Sequence, residues 1–305
     1  MSAIRLLAAQ IKPKKGDYQH NLQQMGRLFA QIRDQRIEVD VLVLPETAMS
    51  GYFLEGGVRE VARTADEMFQ ELNAQYLANG PDHAIDIVIG FYEQWDRKYY
   101  NSALYATLGA PGSGATPGIV HVHRKFFLPT YGVFDEKRFV SRGRQIRAFP
   151  TRFGGLRAAV LVCEDAWHSI VPTIAALKGA QILYIVAASP ARGFTQESVG
   201  NVAKWTQLLY NIADEHNIWV VQCGLVGFEG GKGFIGASRV VDPFGVTRAE
   251  GPVGKEALIR AEVVLDDVSV ARAGSPLLAD LEAGLSDLML ELAEVERASH
   301  HTASG

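Results

Sequence analysis

Cys163 closes the apolar run Ala-Ala-Val-Leu-Val (158–162) and is followed at once by Glu164 and Asp165, so a thiol stands where a buried strand gives way to a polar turn. A cysteine that only fills core volume packs as a small hydrophobe and more often has further apolar residues after it. Glu46 ends an apolar run in the same manner, after Val-Asp-Val-Leu-Val-Leu-Pro (39–45), and Lys125 ends His-Val-His-Arg (121–124) just before Phe126 and Phe127. A thiol becomes a nucleophile when a base or a nearby positive charge favours the thiolate. A carboxylate whose proton affinity is raised by burial is a general base near neutral pH. A fixed ammonium stabilises a developing oxyanion. The three residues together supply all three functions, and no Ser-His-Asp or papain-like signature surrounds Cys163. Taken singly, a capping or salt-bridged Glu46 and a surface Lys125 are equally simple readings; three strand ends in one chain give each signal more weight.

Those strand ends need elements to carry them. Strand-like runs are predicted at 4–11, 39–44, 85–92, 102–108, 119–124, 156–163, 181–187, 218–226, 235–241 and 257–264. Helical apolar periodicity is predicted at 18–36, 58–77, 171–177 and 198–216, and an acidic amphipathic helix at 276–298 carries Leu277, Leu281, Leu285, Leu288 and Leu292 on one stripe. The order mixes strand-helix-strand units with hairpin-like pairs, which suits two packed sheets with helices on their outer faces better than one parallel sheet. The expected fold is therefore α/β, a four-layer αββα sandwich. If the relevant strands run parallel, Glu46, Lys125 and Cys163 meet at one edge.

Composition narrows the function. The chain has 305 residues, is 48% hydrophobic and 21% charged, and carries a formal net charge of -4 with no long basic stripe in the sequence, so nucleic acid is not an expected partner. No apolar stretch approaches the roughly 20 residues of a membrane helix, and the start lacks a secretory pattern, which leads to a cytoplasmic expectation. The two cysteines, Cys163 and Cys223, make a disulfide framework unlikely there. Cys223 reads as a packed core thiol. The eight histidines have no close metal-binding spacing beyond His121-x-His123, read as surface decoration on a strand, and the tail pair His300-His301, so no metal site is expected.

Three segments, Leu-Pro-Glu-Thr-Ala-Met-Ser-Gly-Tyr (44–52), His-Arg-Lys-Phe-Phe-Leu-Pro (123–129) and Val-Leu-Val-Cys-Glu-Asp-Ala-Trp (160–167), resemble the signature blocks of the nitrilase, or carbon-nitrogen hydrolase, superfamily. Gly-Ala-Ser-Arg-Val-Val-Asp-Pro-Phe-Gly (236–245) is similar to that family's strand and turn beyond the active site. The resemblance implies that Glu46 takes the thiol proton, Cys163 attacks an amide carbon, Lys125 stabilises the tetrahedral intermediate and water releases the acid from a thioester, without a cofactor. It also implies a second glutamate that orients lysine and substrate, here Glu136.

The runs 128–139 and 163–167 most resemble the glutaminase domain of glutamine-dependent NAD synthetases, although no Ser-Gly-Gly-rich phosphate loop occurs before Gly305 and no synthetase domain is expected. The glycines of 227–236 lie between two strands and read as a hairpin loop. Where many members carry Asn, this chain has Cys223, and Cys-Glu-Asp replaces the Cys-Tyr-Asp of several amidase branches. Substrate recognition is expected from Tyr52, Phe53, Tyr131, Glu164, Trp167, His168 and the 188–194 loop with Ser189 and Arg192. The expected function is amide hydrolysis releasing ammonia or an amine. A small nitrile is the alternative substrate, and a catalytically idle binding or assembly protein the alternative class. The expected organisation is a hydrolase domain at 1–275 and a helix and tail at 276–305, with the family's self-association as a homodimer or larger homo-oligomer.

Overall fold

The computed structural model describes residues 3–192 and 200–302. The chain opens with β1 (Ala3–Gln10), α1 (Tyr18–Asp34), β2 (Val41–Val43), α2 (Val58–Val61), α3 (Ala65–Asn79), β3 (Ile85–Trp95), β4 (Lys98–Leu108) and β5 (Gly118–Arg124). It continues through β6 (Ala148–Pro150), β7 (Arg157–Val162), α4 (Ile170–Leu177), β8 (Ile182–Ala187), α5 (Gly200–His216) and β9 (Trp219–Gly224). The hairpin β10 (Val226–Glu229) and β11 (Lys232–Ile235) precedes β12 (Arg239–Val241), β13 (Thr247–Glu250), β14 (Ala257–Val264), α6 (Asp266–Gly274) and α7 (Leu277–Thr302).

Two six-stranded sheets result, in the orders β14-β1-β2-β3-β4-β5 and β13-β12-β9-β8-β7-β6. The period-two alternation of the strands assigns their faces. Leu6 and Ala8 of β1 pack with Val160, Tyr184 and Val221 of the other sheet, whereas Leu7 and Ala9 pack with Leu22, Phe29 and Met68 of α1 and α3. Trp205, Leu209 and Ile212 of α5 cover the outer face of the second sheet. The expected four layers are present.

Strands β1, β2 and β3 are mutually parallel, and two antiparallel pairings, β3 with β4 and β4 with β5, return β5 to the direction of β2. Glu46 and Lys125 therefore leave the first sheet at the same edge. In the second sheet β7, β8 and β9 are parallel, and Cys163 leaves at the end of β7.

Several boundaries differ from the sequence reading. The predicted helix 58–77 is two helices, because Thr64 caps α3 in a reciprocal box with Glu67 and Arg63 bridges β3 at Glu93. The predicted strand 235–241 breaks where Gly236 and Ala237 take φ values of 63° and 50°. The predicted strand 218–226 divides at Leu225. Strands β6, β11 and β13 and helix α6 were not anticipated, and the stretch 227–236, read as a hairpin loop, is for the most part the β10–β11 hairpin itself. Among the described side chains of α7 the buried one is Leu278 and not Leu277, which is exposed, as are Leu288, Met289, Leu292 and Val295. The first two residues of the predicted helix 198–216 lie outside the described residues. Among the described residues no helix is long and apolar enough to cross a membrane.

Candidate active site

Glu46 follows β2 through Leu44 and Pro45, on a turn in which Thr47 has φ 51°. The turn lies so close to β3 that a Cβ on Gly90 would stand 2.5 Å from the Glu46 Cα, so only glycine fits there. The Glu46 carboxylate is fully buried. Its Oε1 accepts from Asn101 Nδ2 at 2.7 Å and from Lys125 Nζ at 2.8 Å, and its Oε2 accepts from the Ala188 N–H at 2.7 Å.

Lys125 emerges from β5 with its own N–H bonded to the Asn101 carbonyl at 2.9 Å. Its ammonium, equally buried, donates to Glu46 and to Glu136 Oε1, the latter at 2.6 Å. Burial opposes that charge, but Glu136 and Glu46 beside it more than offset the cost and hold the group well above the usual ammonium range. Glu136 sits in the short 3-10 turn Glu136–Arg138 and also receives the hydroxyl of Tyr52, while its Oε2 has no hydrogen-bond partner among the described residues. Burial pushes its carboxyl up to about 7, with Lys125 pulling down and Glu46 pushing up.

A stability effect follows from Glu136. Its folded-state value of about 7 lies above the ordinary 4.5, so between those values the folded chain keeps a proton that the unfolded chain releases. Stability from this group is therefore greatest below about pH 4.5 and falls as pH rises to about 7, by at most about 1.4 kcal/mol per pH unit. Glu136→Gln is expected to remove that slope in urea midpoints measured at pH 5 and pH 7. The same slope in the variant assigns the proton to another group.

Cys163 begins the 3-10 turn Cys163–Trp167 with φ 43°, a sharp left-handed corner between β7 and the turn. Such strain persists only where the surroundings hold it, and Asp165 does the holding. Asp165 Oδ1 accepts the N–H groups of Phe126 and Phe127 at 2.9 and 2.8 Å; its Oδ2 accepts the Val162 N–H at 3.3 Å and lies 2.8 Å from His123 Nε2. The residue after Glu164 thus ties the Cys163 corner to the segment leaving Lys125. The thiol is pushed well above its ordinary range by burial and by the Glu46 charge, with Lys125 and the Ala188 N–H acting the other way.

Around this centre stand aromatic rings. Tyr52 packs edge-on against Phe53, Phe134 and Phe234. Its backbone N–H and that of Phe53 both donate to Glu229 Oε2 at 2.9 Å, so the β10–β11 hairpin holds this wall in place. The same hairpin bonds the opposite segment, since the Ala191 N–H donates to the Gly233 carbonyl at 2.7 Å.

The other predicted recognition residues divide into two sets. Tyr131 donates to Glu164 at 2.9 Å, the His168 ring stacks on Phe127 with centroids 3.7 Å apart, and the exposed Arg192 guanidinium lies 5.2 Å over the Phe134 ring. Those side chains form one cluster near Cys163. Trp167 instead packs on Trp205, and the Ser189 hydroxyl oxygen accepts from Asn201 and Trp205 at 3.0 and 3.1 Å, so both are committed to packing. Gly193 and Phe194 lie outside the described residues.

Sequence reasoning missed Asn101, His123, Asp165 and Glu229. The expected surface role of the His121-x-His123 pair is corrected for both: His123 is buried against Asp165, and the half-buried His121 packs its ring on Phe149 with centroids 4.6 Å apart. A polar residue inside an alternating strand, as at Asn101 and His123, is the one local signal that marks them. Cys223 is a fully buried thiol donating toward the carbonyls of Ala9 and Val43, as a packed core cysteine does.

The geometry has relatives. A glutamine-dependent NAD(+) synthetase of Thermotoga maritima is 27% identical over 273 residues, which are 88% of this chain and 43% of that protein. A 2-oxoglutaramate amidase of Bacillus subtilis is 28% identical over 254 residues, 83% of this chain and 89% of that protein. The carbon-nitrogen hydrolase of Helicobacter pylori G27 superposes with a TM-score of 0.77 at 22% identity, covering 91% of this chain and 94% of that one, which is a likeness of fold. The chain spans less than half the length of the NAD synthetases it matches. The carbon-nitrogen hydrolase family model matches residues 5–273, and the chain belongs to that family of hydrolases.

Proposed function

We propose that the chain is a cysteine-dependent amidase for a small primary amide that carries a carboxylate. The observation that carries this reading is the buried Lys125 ammonium, bonded to Glu46 at 2.8 Å and to Glu136 at 2.6 Å, whose charge acts on Cys163 at its strained corner. A thiol that keeps its proton in this buried setting needs a base at the moment of attack. Glu46 takes that proton as sulfur bonds to the amide carbon, and the oxygen's new charge is met by Lys125. The carbon-nitrogen bond then breaks, ammonia leaves with the proton from Glu46, and a thioester remains. Water, deprotonated by Glu46, releases the acid and returns the thiol. Glu136 and Tyr52 hold the ammonium in line throughout.

Recognition falls to the Tyr131, Glu164 and Arg192 cluster. A guanidinium matches a carboxylate fork for fork, and glutamine and 2-oxoglutaramate, the compounds in the names of two relatives, are both primary amides with such a group. Ammonia release across a panel of carboxylated amides, uncharged amides and nitriles tests the reading. Carboxylated amides are expected to turn over fastest; faster turnover of nitriles, or no product from any of them, contradicts it. Arg192→Ala is expected to raise KM for the carboxylated amide by about 10- to 100-fold with kcat nearly unchanged and to leave uncharged amides unaffected. An equal loss on both classes removes Arg192 from recognition.

We also propose that residues 276–305 form an assembly segment added to the hydrolase domain of residues 1–275. The support is the exposed Leu288, Met289, Leu292 and Val295 of α7, beyond the part of the helix anchored by Leu278. A chain ending at Ala273 is expected to sediment as a smaller species than the full chain. An unchanged number of subunits removes α7 from assembly.

A further inference from the structure

A groove of about 990 Å³ runs along β5, the outer strand of the first sheet, between the β3–β4 turn and the segment that leads into β6. None of Glu46, Lys125, Glu136 and Cys163 lines it. Its lining holds six basic side chains, Lys98, Arg124, Lys137, Arg142, Arg144 and Arg147, against one carboxylate, Asp96. The chain as a whole carries a formal net charge of -4, so this concentration of cations is local and not compositional.

Arg124 is the one held by a carboxylate: it donates to Glu93 at 2.7 and 2.6 Å and lies 3.8 Å over the Trp95 ring. Arg142 lies 5.0 Å over the Phe126 ring, and Arg147 donates to Gln145 at 2.8 Å. Among the described residues none of the other five has a carboxylate within ion-pair distance, and all five are exposed. Cations crowded without counter-charge into a concave surface raise its positive potential and the local concentration of anions. Guanidinium forks match phosphate oxygens in pairs. Leu128 and Val140 are buried, which leaves Trp95 and the half-buried Val122 as the groove's open apolar side chains, too few for an amphipathic acidic helix. A compact, multiply charged anion needs none.

We propose that this groove binds a phosphate chain, either free polyphosphate or the triphosphate of a nucleotide. The half-exposed Trp95 at its margin offers a base a ring face in the second case. The site is also fastened to the proposed catalytic machinery. The Gly143 N–H donates to the Lys125 carbonyl at 2.7 Å, and a Cβ at Gly143 would stand 2.0 Å from the Arg124 carbonyl oxygen. The groove wall thus lies directly on the backbone that presents Lys125, and Lys137 adjoins Glu136.

The test is calorimetric titration of the full chain with sodium tripolyphosphate and, separately, with ATP. The variants are the triple Arg142→Gln, Arg144→Gln, Arg147→Gln and a control triple at Arg27, Arg59 and Arg260, exposed cations outside the groove. The expected result is binding of tripolyphosphate that weakens as salt rises, a loss of about tenfold or more in the groove triple, and no loss in the control. Equal affinity for ATP assigns recognition to the phosphates alone; tighter ATP binding that Trp95→Ala removes assigns it to a nucleotide. No heat from either compound at about 1 mM, equal affinity in the groove triple, or the same loss in the control overturns the proposal. Since binding is the readout, the outcome is independent of the amidase reading.

Discussion

Cys163→Ala is expected to lower amide turnover by about 10⁴-fold or more with the fold intact. The large effect follows from the division of labour at the site. Glu46 and Lys125 are bonded to each other and to Asn101 and Glu136, so removing the thiol leaves a complete polar network with no atom that can form the acyl intermediate. The small structural effect follows from geometry. The φ of 43° is one that alanine tolerates no worse than cysteine, and Asp165 holds the corner through the N–H of Val162 before it and the N–H groups of Phe126 and Phe127 on the neighbouring segment. Loss of one buried sulfur costs about 1 kcal/mol. Initial rates of ammonia release, with thermal unfolding of the same preparation, check both halves. Retained turnover would place the nucleophile elsewhere.

Lys125→Met is expected to be as damaging to turnover, by about 10³-fold or more, and far more damaging to stability. Methionine fills a similar volume without charge. The variant leaves Glu46 and Glu136 buried and facing each other without the ammonium that now bonds to both. Breaking a buried pair from one side typically costs 3–5 kcal/mol, which for a chain of this length lowers Tm by about 6 °C. The deficit should shrink from pH 7 to pH 5 as protonation neutralises a carboxylate. An unchanged Tm at pH 7 would mean that the ion pairs contribute nothing net to the fold.

Glu46 and Cys163 were legible because each ends a continuous buried run, and Lys125 because it ends a strand-like run just before two phenylalanines; a charged or reactive side chain at such a place interrupts a pattern that a few neighbouring residues define. The edge at which they meet was legible only as a condition on strand direction; β5 satisfies it through two reversals that no local window contains. Their supports were not legible. Asp165 acts on Phe126, 39 positions away in the chain, and Glu229 on Tyr52, 177 positions away, so neither leaves a local signature.

Helix boundaries failed for a different reason. The box of Thr64 and Glu67 was written in the sequence, but the apolar spacing runs on through it, and the tertiary bridge from Arg63 to Glu93 settles the break. Leu277 and Leu278 are adjacent leucines, and which one faces inward depends on the angle at which α7 meets α4 and α5.

The central claim is a thioester on Cys163, and mass spectrometry of the intact chain tests it most directly. The chain is mixed with an excess of a carboxylated primary amide, quenched in acid during turnover and weighed, then digested to locate any adduct. The account predicts a gain equal to the substrate mass less ammonia, on the peptide that contains Cys163, absent from Cys163→Ala. Turnover with no adduct, or with an adduct on any other residue, would contradict it.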